Sequence, residues 1–204
     1  MTFLRVVTIC LALGVAGCAA VPEPETDRRE EAFEERRAAL EAMTTWRASG
    51  RAGITTPDES VALSMEWSQV DDAYRLDMRG PMGAGSFRLQ GDDQGVILRT
   101  SDGGTETAAD AGELLRRFTG LDLPVEVLPW WLRGLPAPGP EVAAMELDEQ
   151  GRVQRLEQAG WDVTYDGYDA RGGSVDLPVR LDLQGPGISL RAHIRSWDTD
   201  GPEI

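Results

Sequence analysis

Apolar residues along this chain fall on two periods. Between Arg28 and Thr44, Phe33, Leu40 and Met43, with Ala32, Ala39 and Ala42 around them, draw one narrow stripe on an otherwise charged segment. That spacing predicts a helix that packs by the stripe. After Trp46 the period falls to two. Val61, Leu63, Met65 and Trp67 alternate with Ala62, Ser64, Glu66 and Ser68, the pattern of a strand with one buried face. Tyr74, Leu76 and Met78 continue it, then Phe87 and Leu89, then Val96-Ile97-Leu98, with glycine-bearing turns between, so the run reads as an antiparallel meander.

Helical spacing returns twice before the strands resume. Asp110 and Glu113 stand at capping-box distance ahead of Leu114, Leu115 and Phe118, and Gly120 closes the segment. From Pro124 to Arg133, Val127, Leu128, Trp131 and Leu132 share a face, while Pro129 keeps that helix short or irregular and Gly134 with Pro136 stops it. Further strands are predicted at Ala144 to Leu147, Val153 to Gln158, Trp161 to Tyr165, around Leu181 and Leu183, and from Ile188 to Ile194. An acidic tail over 198–204 follows and is expected to be disordered. The fold class is mainly β with α.

The N-terminus carries a different pattern. Arg5, the apolar run Val6 to Leu13 and the small residues before Cys18 have the order of a secretory signal, and the run is too short to span a bilayer. Val15-Ala16-Gly17-Cys18 reads as a bacterial lipoprotein processing box, with residues 1–17 removed and Cys18 acylated. The proline-rich, acidic segment that follows, 18–27, suits an extended tether to a single folded domain over 28–197. The other cysteine, Cys10, lies in the leader, so the mature protein has neither disulfide nor reactive thiol.

Composition narrows the chemistry. The net charge is -15 and all 20 basic residues are arginine, so nucleic acid and anionic headgroups are poor partners for the molecule as a whole, and a basic partner suits it better. The single histidine, His193, sits on the polar side of the last alternation between arginines, a solvated position. No nucleophile with a positioned base, no zinc-ligand spacing and no phosphate-cradling loop occurs, and the reading is of a protein without catalytic residues, metal or cofactor. The turn Gly80-Pro81-Met82-Gly83-Ala84-Gly85 stands out because its only large apolar side chain is at its apex. Met82 either folds back over the sheet or projects outward, and the sequence leaves both open. It likewise leaves open whether the inward residues fill a core or line a hollow.

Taken together, several features resemble the LolB family of outer-membrane lipoprotein receptors. They are the processing box, the charged first helix, the strand ending in Trp67, Gly80-Pro81-Met82-Gly83, and Leu123-Pro124 through Trp131-Leu132-Arg133-Gly134-Leu135-Pro136. Further features are Gly160-Trp161-Asp162-Val163-Thr164-Tyr165 with Gly167-Tyr168-Asp169, Leu177-Pro178 and the strand into Trp197. The resemblance implies an incomplete antiparallel β-barrel covered by a helical lid formed by 110–118 and 124–133. It implies an acyl-chain cavity lined by Val61, Leu63, Met65, Trp67, Leu76, Met78, Leu114, Leu115 and Trp131. It puts Met82 where the family carries a protruding apolar residue, usually leucine, that inserts in the membrane. It further implies a monomer on the periplasmic face of the outer membrane that takes acylated lipoproteins from a LolA-like carrier and places them in the inner leaflet, and Ala19 fits the matching sorting signal. Two other readings are a lipid-anchored binder of a small apolar ligand or fatty acid that transfers nothing, and an envelope hydrolase built on paired carboxylates.

Overall fold

A computed structural model describes residues 25–83, 85–170 and 175–201. The leader, Cys18, most of the tether, Ala84 in the glycine-rich turn and the last three residues of the tail lie outside the described residues.

Helix α1 (Glu25–Glu41) is followed by β1 (Thr45–Thr55), β2 (Ser60–Val70), β3 (Ala73–Arg79), β4 (Phe87–Asp92), β5 (Gly95–Thr100) and β6 (Thr105–Ala108). Helices α2 (Ala111–Thr119) and α3 (Leu128–Leu132) come next. The chain then forms β7 (Val142–Leu147), β8 (Val153–Gln158), β9 (Trp161–Tyr165), β10 (Tyr168–Asp169), β11 (Leu177–Pro178), β12 (Arg180–Gly185) and β13 (Ile188–Asp198). Eleven strands make one antiparallel sheet in the order β6-β5-β4-β3-β2-β1-β13-β12-β9-β8-β7, and β10 and β11 form a separate ribbon. Edge strands β6 and β7 do not pair, so the barrel is incomplete. The connection between those edges carries α2 and α3, which cover the inner face.

Alternation decides which face is inside. Trp46, Ala48, Gly50 and Ala52 of β1 point inward, beside Leu63, Met65 and Trp67 of β2, Leu76 and Met78 of β3, Leu89 of β4 and Leu98 of β5. From the other half, Leu156, Val163, Leu181, Leu183, Ala192 and Ile194 complete one continuous core. Two close approaches demand glycine. A Cβ on Gly50 would sit 2.1 Å from the His193 carbonyl oxygen, at the β1–β13 register shift. A Cβ on Gly151 would lie 2.4 Å from the backbone nitrogen of Phe33, because α1 rests directly on the β7–β8 turn.

Several elements differ from the sequence reading. The first helix begins three residues earlier and ends three earlier than expected, and of its stripe Phe33 and Leu40 are buried while Ala39 and Ala42 are exposed. The Pro124–Arg133 helix contracts to Leu128–Leu132 with Pro129 in its first turn, since a proline supplies no N–H and tolerates only helix starts. β6, Thr-Glu-Thr-Ala, was not read from the sequence, for it has no large apolar residue to alternate. α2 forms as its caps dictate: the Asp110 side chain accepts from the Glu113 N–H, and Gly120 ends the helix at φ 74°.

Candidate functional site

A hollow lies between the inner face of the sheet and the two lid helices. Its lining joins Met65, Trp67, Leu76, Met78 and Phe87 from one half of the sheet to Leu181, Leu183, Leu190 and Ala192 from the other. Leu115 of α2 and Leu128, Trp131 and Leu132 of α3 close it from above, and Arg191 is the only charged residue on the wall. The cause of the void is visible in the register. Ala52 and Ala192 stand directly opposite each other on β1 and β13 and offer only methyl groups where their neighbours offer large side chains.

The cavity volume is about 80 Å³. Sites that hold drug-sized ligands run to roughly 300–1,000 Å³, so the hollow as it stands is too small for such a ligand. Of the residues expected to line a cavity, Met65, Trp67, Leu76, Met78, Leu115 and Trp131 are brought together on its wall. Leu63 and Leu114 are buried in the surrounding core but do not reach the wall. Val61 is corrected: it is 38% exposed, because β2 runs on beyond the part of the sheet that the lid covers. Alternation identified its face and carried no information on depth. Ala52, Ile54, Phe87, Leu123, Val125, Leu128, Leu132, Leu181, Leu183, Leu190 and Ala192 also line the wall. Those on strands could have been found by extending the alternation of β1, β12 and β13 into the same face.

The two lid helices are held by different forces. α3 is tied to the sheet through buried polar contacts: the Trp131 indole N–H donates to Gln158 Oε1 (3.0 Å), and the Tyr165 hydroxyl donates to the Trp131 carbonyl (3.0 Å). Gln158 also accepts from the Ala137 N–H and donates to the Ala137 and Pro140 carbonyls, so its amide is fully used. Arg133, just past α3, donates to the carbonyls of Leu40 (2.8 Å) and Met43 (3.1 Å) and lies over the rings of Trp46 and Trp130. The guanidinium adds a second donor to the Leu40 carbonyl, which already accepts from the Met43 N–H, and sits at the negative C-terminal end of the α1 dipole. Burial pushes its pKa down to about 10, and Glu41 partly opposes the shift.

Among the described residues α2 has no comparable buried tie. Its polar links are at the surface, from the Gly112 N–H to Glu126 Oε1 (3.0 Å) and from Arg117 to the Thr107 carbonyl (3.0 Å). Otherwise it adheres by Leu114, Leu115 and the edge-on contact of Phe118 with Phe87 at 5.7 Å, and Phe118 is itself 39% exposed.

At one end of the barrel, Pro81–Gly83 forms a single tight turn between β3 and β4. Met82 sits at its apex, fully exposed, in the left-handed region at φ 54°. That conformation is uncommon for a residue with a Cβ. The fold-back arrangement is therefore not the one adopted: the side chain projects into solvent.

The family model for the outer membrane lipoprotein LolB matches residues 44–197, which spans the sheet, both lid helices and the Met82 turn. The chain belongs to the LolB family. It is 47% identical over 189 residues to the outer-membrane lipoprotein LolB of Alkalilimnicola ehrlichii, covering 91% of this chain and 92% of that one. It is 42% identical over 187 residues to the LolB of Halorhodospira halophila, covering 91% and 90%. Among solved structures, a domain described as an outer membrane lipoprotein-sorting protein from Vibrio parahaemolyticus superposes with a TM-score of 0.57. That likeness covers 88% of this chain and 95% of that one at 12% identity, and it speaks for the fold alone. Membership makes the chain an outer-membrane lipoprotein on the periplasmic side, of a family concerned with lipoprotein localisation. The model match begins at Thr44, so α1 lies outside the matched LolB core, although Arg133 and Gly151 lock it on.

Proposed function

We propose that this LolB-family protein, anchored through an acylated Cys18, receives the acyl chains of lipoproteins from a LolA-like carrier and releases them into the inner leaflet of the outer membrane. It works as a monomer and without catalysis or cofactor. The observation that carries the reading is the all-but-apolar hollow under a lid whose two helices are fastened so unequally. An acyl chain of a dozen or more CH₂ groups resists water by about 10 kcal/mol at roughly 0.8 kcal/mol per group, so cargo must pass from one apolar shelter to another. α2 lifts, because only apolar contacts and surface hydrogen bonds oppose it, while α3 stays as the fixed wall. Met65 and Met78, flexible and polarisable, suit chains that enter in more than one arrangement. A protein that merely stored a fatty acid would keep the volume ready-made, and about 80 Å³ is not that volume.

Met82 is assigned the membrane contact. Full burial of its side chain in the bilayer gains roughly 1.5–3 kcal/mol, enough to orient a tethered protein and too little to hold it alone. The test uses a fluorescent lipoprotein passed from the purified carrier to this protein and then to liposomes. Met82→Glu is expected to accept cargo like the parent and to deliver it at least tenfold more slowly. Delivery at the parent's rate overturns the role of the turn, and failure of the parent to accept cargo overturns the receptor reading.

A further inference from the structure

The net charge conceals a local clustering of arginines on the outer face of the sheet. At the end of the sheet away from Met82, the β2–β3 turn holds Asp71 and Asp72, the β4–β5 turn Asp92 and Asp93, and the start of the lid Asp110 and Glu126. Toward the Met82 end, on the outer face, the register brings three arginines, with His193 and Ser64 between them, into one row across five strands. Arg180 is opposite His193, His193 opposite Arg51, Arg51 opposite Ser64, and Ser64 opposite Arg79. In the next row Arg88 stands opposite Arg99.

Neutralisation of this band is incomplete. A single buried carboxylate, Asp77, serves three guanidinium groups: Arg88 at 2.8 Å, Arg75 at 3.1 Å and Arg79 at 3.8 Å. Arg180 is paired with Asp166, whereas Arg51 is exposed and has no ion pair among the described residues. Arg88 and Arg99 are like charges directly opposite on adjacent strands, an arrangement that costs the sheet stability. Acids at the same end are Asp58 and Glu59 in the β1–β2 turn, Asp102 in the β5–β6 turn, Glu106 on β6, and Glu66 on β2 beside Asp77. Also at that end, Asp182 on β12 is paired with Arg191, and Glu157 and Asp162 on β8 and β9 are paired with Arg155, so the arginines left over for a partner are those of the β1–β5 face.

We infer that this arginine band is a headgroup-contact surface, which binds the phosphates of anionic phospholipids when the Met82 turn touches the membrane. The inference rests on the proposed membrane role of that turn and adds the lipid class it selects. Arg79 is three residues from Met82, hence within about 11 Å along the chain. A side chain sunk about 5–10 Å into the interface brings the row to the phosphate level, and the separation is about one Debye length in physiological salt. The acidic turns Asp71–Asp72 and Asp92–Asp93 then point away from the leaflet, toward the periplasm, and their repulsion from anionic headgroups favours the orientation that brings the arginines down.

The experiment measures co-sedimentation of the mature chain, residues 18–204 with Cys18→Ala, on vesicles of phosphatidylcholine alone or mixed with phosphatidylglycerol. The parent is expected to prefer the phosphatidylglycerol vesicles and to lose that preference at high salt. Arg51→Ser with Arg79→Ser should weaken binding to those vesicles about fivefold per arginine, with binding to phosphatidylcholine unchanged. Both side chains lie at the surface, so the thermal unfolding midpoint should stay with the parent. Asp58→Asn with Glu59→Gln should tighten the same binding. An unchanged phosphatidylglycerol preference in the double arginine variant overturns the inference, as does a parent with no preference. If Met82→Glu abolishes binding to both vesicle types while the arginine variant matches the parent, the turn keeps its role and the band loses its own. The reverse outcome keeps the band and removes the turn.

Discussion

Leu114 and Leu115 are adjacent on α2 and equally buried, yet only Leu115 reaches the hollow. Truncating each to alanine separates the stability of the lid from the capacity of the cavity. Leu→Ala removes three carbon groups. Their lost transfer is worth about 2.4 kcal/mol at roughly 0.8 kcal/mol per group. The space left, on the order of 80 Å³, adds about 2 kcal/mol at about 24 cal/mol per Å³. Both variants should therefore lose about 4 kcal/mol in urea unfolding, within the roughly 5–15 kcal/mol a domain of this size holds.

Their ligand behaviour should diverge. In Leu115→Ala the new space joins the existing void and roughly doubles it, and an acyl chain no longer has to displace that side chain. Binding of a fluorescent long-chain fatty acid is expected to tighten by up to about fiftyfold, the equivalent of three buried CH₂ groups. The acid should restore more stability to Leu115→Ala than to the parent. Leu114→Ala should be as unstable as its neighbour with parental affinity. If the two variants bind the acid alike, the hollow is not where the chain goes, and the lid residues are simply core.

Two further outcomes follow from the buried polar groups. Arg133→Met removes the donor to the Met43 carbonyl and the second donor to the Leu40 carbonyl, which keeps the Met43 N–H, and this should cost about 1–3 kcal/mol. Amide exchange in the last turn of α1 should quicken; unchanged exchange there would show that Arg133 does not fasten the helix. Burial raises the pKa of Tyr74, Tyr165 and Tyr168 above the ordinary tyrosine value of 10.0, and at Tyr168 the Arg36 and Arg152 guanidinium groups partly counter it. A raised folded pKa contributes stability that is complete below pH 10 and lost as pH climbs toward the folded values. Arg133, with a depressed folded pKa, works in the opposite sense over about pH 10 to 12.5 and is outnumbered. Alkaline titration should thus show phenolate absorbance rising together with loss of the fold, and Tyr165→Phe should flatten the stability profile above pH 10. Ionisation of all three tyrosines near pH 10 in the folded state would contradict the burial.

How much of this was legible in the sequence depended on which physical term wrote each feature. Strands with large inward residues announce themselves, so β2, β3, β8, β9, β12 and β13 were readable from alternation. β1 carries Ala48, Gly50 and Ala52 on its inward face, small residues that blur the pattern, and one of them, Ala52, helps create the hollow. The caps of α2 are local chemistry and could be read from four residues. Where α3 starts, and that α2 and α3 are fastened differently, depends on Gln158, Tyr165 and the end of α1, partners from 27 to more than 90 positions away in sequence. Val61 shows the limit of periodicity, which reports a side of the sheet and not how far the lid extends. The arginine band was hidden for another reason: its members lie on five strands and meet only through register, while the sum over the chain is strongly negative.

A receptor with a nearly filled interior has an energetic advantage over one with an open cup. On the proposed reading, an incoming acyl chain gains burial but must part Leu115 and Phe118 from the sheet, so the net affinity is the difference between two apolar contacts. When the chain leaves, those contacts re-form, and the hollow shrinks to its small remainder rather than standing empty at the cost of a large cavity. The bilayer has no lid to displace and holds the same chain more tightly. Release into the membrane is then downhill with no nucleotide consumed, and its steepness is set by how well α2 closes. That makes lid packing, and not cavity size, the quantity selection must tune: a looser α2 grips cargo more firmly and surrenders it more slowly. In the transfer assay Leu115→Ala should therefore accept lipoprotein faster than the parent and deliver it more slowly, whereas a parallel gain in both steps would mean that lid closure takes no part in release.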